Sequence, residues 1–252
     1  GSGPTNAFVT MGDDGSVTVL TGQVDITGVH TVLAQIVAEE LSVPGEKVTV
    51  RLGDTDTVPY TSLSAGSKSA YSTGTAAKNA AKEARNRIFK IAAEQLGVSE
   101  DKLVLSNEQV NVAGSPKKSV TLANLAKAAM NTSEGPISGQ WVLGRIPAFP
   151  SYAVNVAVVE VDEGTGQVKL IDLIAGQDVG KALNPMLVEG QIEGGAVQAV
   201  AYGWMEGYVY RDNGNVGNPN LLDYAIPTAM DIPKITTVIV EEESPLGPYG
   251  AK

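Results

Sequence analysis

The chain has no cysteine, and that absence excludes more than any motif it carries. Without thiols there are no disulfides, no cysteine nucleophile, no cysteine-ligated zinc and no iron–sulfur cluster held by this chain. Histidine occurs once, as His30, so Ser-His-Asp and Cys-His triads and multi-histidine metal centres fall away as well. A lone histidine of this kind is read as a packing or capping residue. Aromatics are scarce at 5%, and basic residues (18 Lys and Arg) are outnumbered by 28 Asp and Glu, giving a net charge of −10. That balance argues against nucleic-acid binding, which relies on clustered positive charge. No apolar run reaches membrane-spanning length, so no membrane partner is expected. The opening GSGPTNAFVT lacks the basic patch, apolar stretch and cleavage site of a secretory signal, so a cytoplasmic protein is expected.

What remains is an ordinary globular composition, 43% hydrophobic and 18% charged over 252 residues, enough for a sizeable core without staples. Two stretches look alike: GDDGSVTVLTGQVDITG from Gly12 to Gly28, and DEGTGQVKLIDLIAGQDVG from Asp162 to Gly180. Each places an Asp/Gly turn before a β-branched strand, then a Gly-Gln loop, then a helical pattern. Chance recurrence of short Gly, Val and Asp strings is the competing account. A duplicated strand–loop–helix unit implies an α+β fold of two similar lobes with mixed β-sheets and helices packed on them, here divided as 1–138 and 139–252 at the polar stretch Asn131–Gly139. Helical spacing predicts helices over Val29–Leu41, Gly74–Leu96, Leu122–Met130 and Val188–Tyr202. Alternation predicts strands at Lys47–Leu52, a hairpin from Leu103–Leu105 to Gln109–Val112, another from Tyr152–Val161 to Val168–Ile174, and a strand pair at Gly207–Tyr210 and Ile235–Val240.

The stretch Gly53–Gly74, GDTDTVPYTSLSAGSKSAYSTG, leads from a strand into the longest helix. Glycine admits close backbone approach, hydroxyls add donors, Lys68 adds a cation, and a helix N-terminus adds partial positive charge, which together suit an anion. It is no Walker loop, and on pattern alone a flexible turn accounts for it at least as well.

The same residues carry a resemblance. GDTDTVPYTSLSAGSKSAYSTGTAAKNAA resembles the molybdopterin-binding domain of the xanthine dehydrogenase and aldehyde oxidase family of molybdenum hydroxylases. DITGVHTVLAQIVAEEL, DVGKALNPMLVEGQIEGGAVQAVAYG, DYAIPTAMDIP and PLGPYGAK resemble further segments of that family, in order along nearly the whole chain. The resemblance implies a molybdopterin-type molybdenum cofactor, in some members a dinucleotide form, held without protein ligands to the metal. It implies contacts from Gly66, Ser67, Lys68 and Ser69 to phosphate or pterin, and from Gln191 near the metal; on residues alone, Gln191 is equally a polar residue bridging a packed helix.

Two departures follow from the same comparison. Where the family has Gly-Gln-Gly this chain has Ile26-Thr27-Gly28, so Thr27, a shorter donor, and Gly28 take that place. The family's catalytic glutamate follows Gly-Ala-Lys, so it is expected beyond Lys252, and Glu189, Glu193 and Glu206 are not promoted in its stead. The implied activity is oxidation of a purine-like heterocycle or an aldehyde with water as oxygen source. Its implied partners are the remaining molybdenum-binding lobe, iron–sulfur and flavin (FAD) subunits or domains, and a small-molecule substrate, with this chain inactive alone. The alternatives are a non-catalytic scaffold or assembly subunit that keeps the fold, and a small nucleotide-binding module dependent on Lys68.

Overall fold

The structure, a computed structural model, describes residues 3–133, 135–144, 147 and 149–252; Gly1, Ser2 and Glu134, on which part of the expected first lobe and linker falls, lie outside them. The chain forms two compact units, Gly1–Phe149 with Glu243–Lys252, and Pro150–Glu242.

The first unit begins with a hairpin. Strand β1 (Thr5–Met11) alternates buried and half-buried residues along its whole length, the signature of a sheet with one face on a core. It turns at Gly12–Ser16, where Asp14 Oδ1 accepts the Ser16 amide at 2.9 Å and Gly15 takes φ 84°, then returns as β2 (Val17–Thr21). Helix α1 (Val29–Leu41) follows at the expected bounds, and Val32, Ile36 and Val37, the residues at helical spacing, are all buried. It leads to β3 (Val48–Leu52), parallel to β2.

Helix α2 spans Ser69–Leu96, beginning before the expected Gly74 because Ser69, Tyr71, Ser72 and Thr73 are buried against neighbouring chain and not left as loop. Its face of Ala76, Ala77, Ala80, Ala81, Ala84, Ile88 and Ala92 is buried. Small side chains let other backbones press in. A Cβ on Gly74 would stand 2.9 Å from Ile36 Cδ1 of α1. A small antiparallel sheet follows, β4 (Leu103–Ser106), β5 (Gln109–Val112) and β6 (Ser115–Thr121), then α3 (Leu122–Ala129), capped by the Thr121 hydroxyl.

Strand β7 (Ser138–Leu143) explains why the compact units divide after Phe149 and not at 138/139. It pairs antiparallel with β1, from Thr5 opposite Leu143 to Thr10 opposite Ser138, and completes a four-stranded sheet in the order β3-β2-β1-β7.

The second unit repeats the connection. Strands β8 (Ala153–Val161) and β9 (Val168–Asp178) form an antiparallel hairpin, its turn held by Asp162 Oδ1 accepting the Gly164 and Thr165 amides, each at 2.8 Å. Helix α4 (Pro185–Trp204) starts with proline at its first position and the Asn184 side chain as its cap. Strand β10 (Ile235–Val240) then lies parallel to β9, giving the order β10-β9-β8. The order β3-β2-β1 is thus matched, strand for strand, by β10-β9-β8. Gly207–Tyr210 forms a single antiparallel bridge, Tyr210 to Val216, in place of the expected strand, and Asn218 takes part of its backbone: Oδ1 accepts from Val209 N at 2.9 Å and Nδ2 donates to the Gly207 carbonyl at 2.7 Å.

Candidate functional site

Two loops of the first unit meet where β2 and β3 hand the chain to α1 and α2. The longer one, between Leu52 and Ser69, is laid along the ends of β1 and β2. Ser62 N donates to the Pro4 carbonyl at 3.1 Å, Asn6 Nδ2 to the Tyr60 carbonyl at 2.7 Å, and Thr5 bridges Thr61. The shorter loop touches it at Gly22, where a Cβ would come within 2.6 Å of the Pro59 carbonyl oxygen, so only glycine lets the two backbones approach this closely.

The join between them is Gln23, 3% exposed. Its Nε2 donates to Ser69 Oγ at 3.2 Å and its Oε1 accepts from Thr73 Oγ1 at 3.1 Å, so one side chain of the short loop is bolted to the first turn of α2. Ser69 Oγ also pairs with Ser64 Oγ at 2.9 Å, and Lys68 Nζ donates to Ser62 Oγ at 2.8 Å. Gln23 is the residue of this junction that motif reading passed over. Its signal was the Gly-Gln pair shared by both repeats, although the second copy, Gln177, is not buried and reaches Ser151 Oγ instead.

Each loop ends in two consecutive left-handed residues: Thr27 (φ 63°) and Gly28 (φ 73°) before α1, Gly66 (φ 67°) and Ser67 (φ 53°) before α2. Neither α1 nor α2 has a side-chain cap, whereas α3 and α4 are capped by Thr121 and Asn184. Backbone N–H groups at uncapped helix starts are donors in want of an acceptor, and the helix dipole makes an anion the favoured one. Thr27, Gly66 and Ser67 are exposed, Gly28 and Lys68 half-buried, and Ser69 buried.

Of the seven residues expected to touch a cofactor, six therefore fall on these two linked loops. The seventh, Gln191, stands exposed on α4 of the second unit, next to Gly190, where a Cβ would meet nothing within 4 Å. The loop before α4 is braced by Glu241, which accepts the Ala182 amide at 2.8 Å and the Lys181 ammonium at 3.2 Å. The hydrogen bond from the Ala182 amide, and then that from the Lys181 ammonium, hold the Glu241 carboxyl below the usual range.

His30 is exposed and sits 3.3 Å from the Val50 carbonyl through Nε2, a local tie between α1 and β3. Glu189 and Glu193 are exposed on α4, and Glu206 accepts the Tyr224 hydroxyl at 2.8 Å. Among the described residues no group of three or more His, Asp or Glu side chains converges as a metal centre would require. The arrangement can grip an anionic, multi-acceptor ligand through backbone and hydroxyl donors.

The molybdopterin cofactor-binding domain family matches residues 1–233. The carbon monoxide dehydrogenase large chain of Afipia carboxidovorans is 33% identical over 89% of this chain and 28% of its own length. The xanthine dehydrogenase molybdenum-binding subunit of Escherichia coli O157:H7 is 31% identical over 98% of this chain and 34% of its own. The quinoline 2-oxidoreductase from Pseudomonas putida 86 superposes with a TM-score of 0.90 at 31% identity, over 99% of this chain and 33% of that one. The chain thus spans about a third of the length of these relatives. With two linked anion-ready loops, a matched repeat and a family match over most of its length, the chain belongs to the molybdopterin cofactor-binding domain family.

Proposed function

We propose that this chain holds the pterin and phosphate portions of a molybdenum cofactor inside a hydroxylase that oxidises a purine-like heterocycle or an aldehyde. The observation that carries the reading is the joining of two left-handed, uncapped helix entries by one buried side chain, Gln23, in a chain of this family. The residues fit such a group. A Cβ on Gly66 would meet nothing within 4 Å, so its backbone is open to a ligand, and the Ser67 hydroxyl beside it is exposed.

When bound, the cofactor supplies the redox centre at which water-derived oxygen is delivered to substrate, and electrons leave to iron–sulfur and flavin partners. The chain's own contribution is to bind and orient. The Gly66 and Ser67 amides and the Ser67 hydroxyl donate to phosphate oxygens at the positive end of α2. Lys68 lends charge while its ammonium is steered by Ser62. Within the first unit Thr27 offers a hydroxyl and Gly28 an open backbone from the shorter loop; within the second, Gln191 carries the amide role that the family motif implies for it. Ser69 acts from beneath, locking Gln23 and Ser64 to the helix start. On this reading the chain's share is binding, and none of Glu189, Glu193 and Glu206 is assigned a proton-transfer role. None of the described helices is long and apolar enough to cross a membrane, and a cytoplasmic enzyme fits this reading.

A scaffold reading draws on one observation, that Ser69 is buried and Lys68 already bonded within the chain. Molybdenum and pterin content of the full-length protein, purified from its natural host, separates the two. Near-stoichiometric metal, reduced severalfold or more by Gly66→Val, supports binding. Metal absent from the native protein, or unchanged in Gly66→Val, sinks it.

A further inference from the structure

The two units repeat one connection, yet their sheets end differently. In the first unit the outer edge of β1 is occupied by β7, and α2 lies over both strands. In the second unit, among the described residues, no strand pairs with β8 beyond β9, and α4 packs on β9 and β10. Aligning the hairpin ends, Met11 with Val161, sets Thr5–Thr10, the stretch covered by β7, against Asn155–Glu160.

That edge is lightly guarded, with one register shift at Val158/Val159 and one charge. Strand β8, AVNVAVVEV, has no proline, lysine or glycine and carries one charge, Glu160. All of its nine residues are exposed, whereas β1 alternates buried and half-buried. Val154, Val156, Val158, Val159 and Val161 are each between 48% and 70% exposed. Valine at this density on a strand is stabilising only against a packed neighbour, and an unpaired row of amides and carbonyls beside it templates another strand.

We infer that Asn155–Glu160 is a docking edge for a fourth strand, antiparallel to β8, contributed by polypeptide of the same protein outside these 252 residues. The β7 precedent sets its direction and place, and relatives about three times as long supply its source. Its residues opposite Ala157 and Val159 are small or apolar, because those two positions share a face with the buried Leu173 and Leu170 of β9. The occupant extends the order to β10-β9-β8-new strand, matching β3-β2-β1-β7. The inference rests on topology and holds whether or not the cofactor is bound.

Hydrogen exchange on the full-length protein without cofactor, followed by mass spectrometry, tests it, with β1 as the internal reference. Amides of Asn155–Glu160 are expected to exchange within about tenfold of those of Thr5–Thr10 and to keep that protection on dilution to monomer. Exchange at β8 faster than at β1 by about a hundredfold or more would mean a bare edge and overturn the inference. Protection lost on dilution would overturn it too, by assigning the edge to a second copy of the chain.

Discussion

Replacing Gln23 by methionine tests the join between the two loops most directly. The substitution keeps the length and flexibility of the side chain and deletes both hydrogen bonds. The losses are unequal. Ser69 Oγ keeps Ser64 at 2.9 Å, so its share is the net value of one neutral bond, about 0.5–1.5 kcal/mol. Thr73 is 0% exposed and loses the acceptor at 3.1 Å, so its hydroxyl is orphaned in the core unless it turns back to the carbonyl one helical turn earlier. An orphaned hydroxyl costs about 1–3 kcal/mol, and a successful fallback leaves only part of that. The expected destabilisation of the first unit is about 2 kcal/mol. Urea unfolding read by Trp141 fluorescence measures it, in a Trp204→Phe background, since the chain has two tryptophans and Trp204 belongs to the second unit. A double-mutant cycle with Thr73→Val is expected to return a coupling of about 1 kcal/mol. A loss under about 0.5 kcal/mol, or a coupling indistinguishable from zero, would refute the claim that Gln23 bolts the loop to α2.

Three further outcomes follow from other contacts. Gly139→Ala would place a Cβ 2.0 Å from the Ala80 carbonyl oxygen and 2.7 Å from Ala84 N, both backbone, so β7 or α2 must move. A loss of about 3 kcal/mol is expected, and an unchanged urea midpoint would contradict the close packing of β7 on α2. Thr27→Gly relieves a β-branched residue at φ 63°, worth about 1–2 kcal/mol, against an added unfolded-state entropy cost of about 0.5–1 kcal/mol. A net gain of about 0.5 kcal/mol in stability with reduced cofactor retention is therefore expected; destabilisation would show that the strain is not real. Burial, then the neighbouring Glu40 carboxylate, push the Tyr249 hydroxyl above its ordinary value of 10.0, so the folded state holds a proton that the unfolded chain gives up. Its stability contribution is present below pH 10 and is lost as pH rises above that value. Wild type should lose up to about 1.4 kcal/mol per pH unit there beyond the loss shown by Tyr249→Phe, and parallel pH profiles would count against it.

The hairpins and helices were legible where a single local rule governed them. Helix α1 follows from its stripe and the turn before β9 from Asp162, whereas α4 starts at Pro185, three residues before the expected Val188, because Asn184 caps it there. Legibility ended where distant chain decides. Strand β7 carries little alternation because its place is set by β1 and by the alanine face of α2, so the boundary read from the polar stretch fell short of Phe149. Segment Gly207–Tyr210 has a strand's composition, but Asn218 satisfies part of its backbone from nine to eleven residues away, which no periodicity records. In the candidate site, Gly66–Ser69 and Thr27-Gly28 were marked by the family resemblance, and the structure adds that Gln23 links the two loops that carry them. Gln23 reads as an ordinary polar loop residue until Ser69 and Thr73 are brought to it.

The second unit does not follow the first but interrupts it, since the chain leaves the first unit at Phe149 and rejoins it at Glu243. Glu40 pairs with Arg85 at 2.7 Å, yet its other oxygen receives the Tyr249 hydroxyl from 209 residues further along. At ribosomal speeds of about 5–20 residues per second, roughly 10–40 s separate the emergence of those two side chains. The first unit thus closes only after the whole of Pro150–Glu242 has been made. Throughout that interval the seat of Tyr249 beside α1 and α2 stands open, a period in which nascent chains depend on chaperones and in which a slow stretch of codons between them would prolong the exposure.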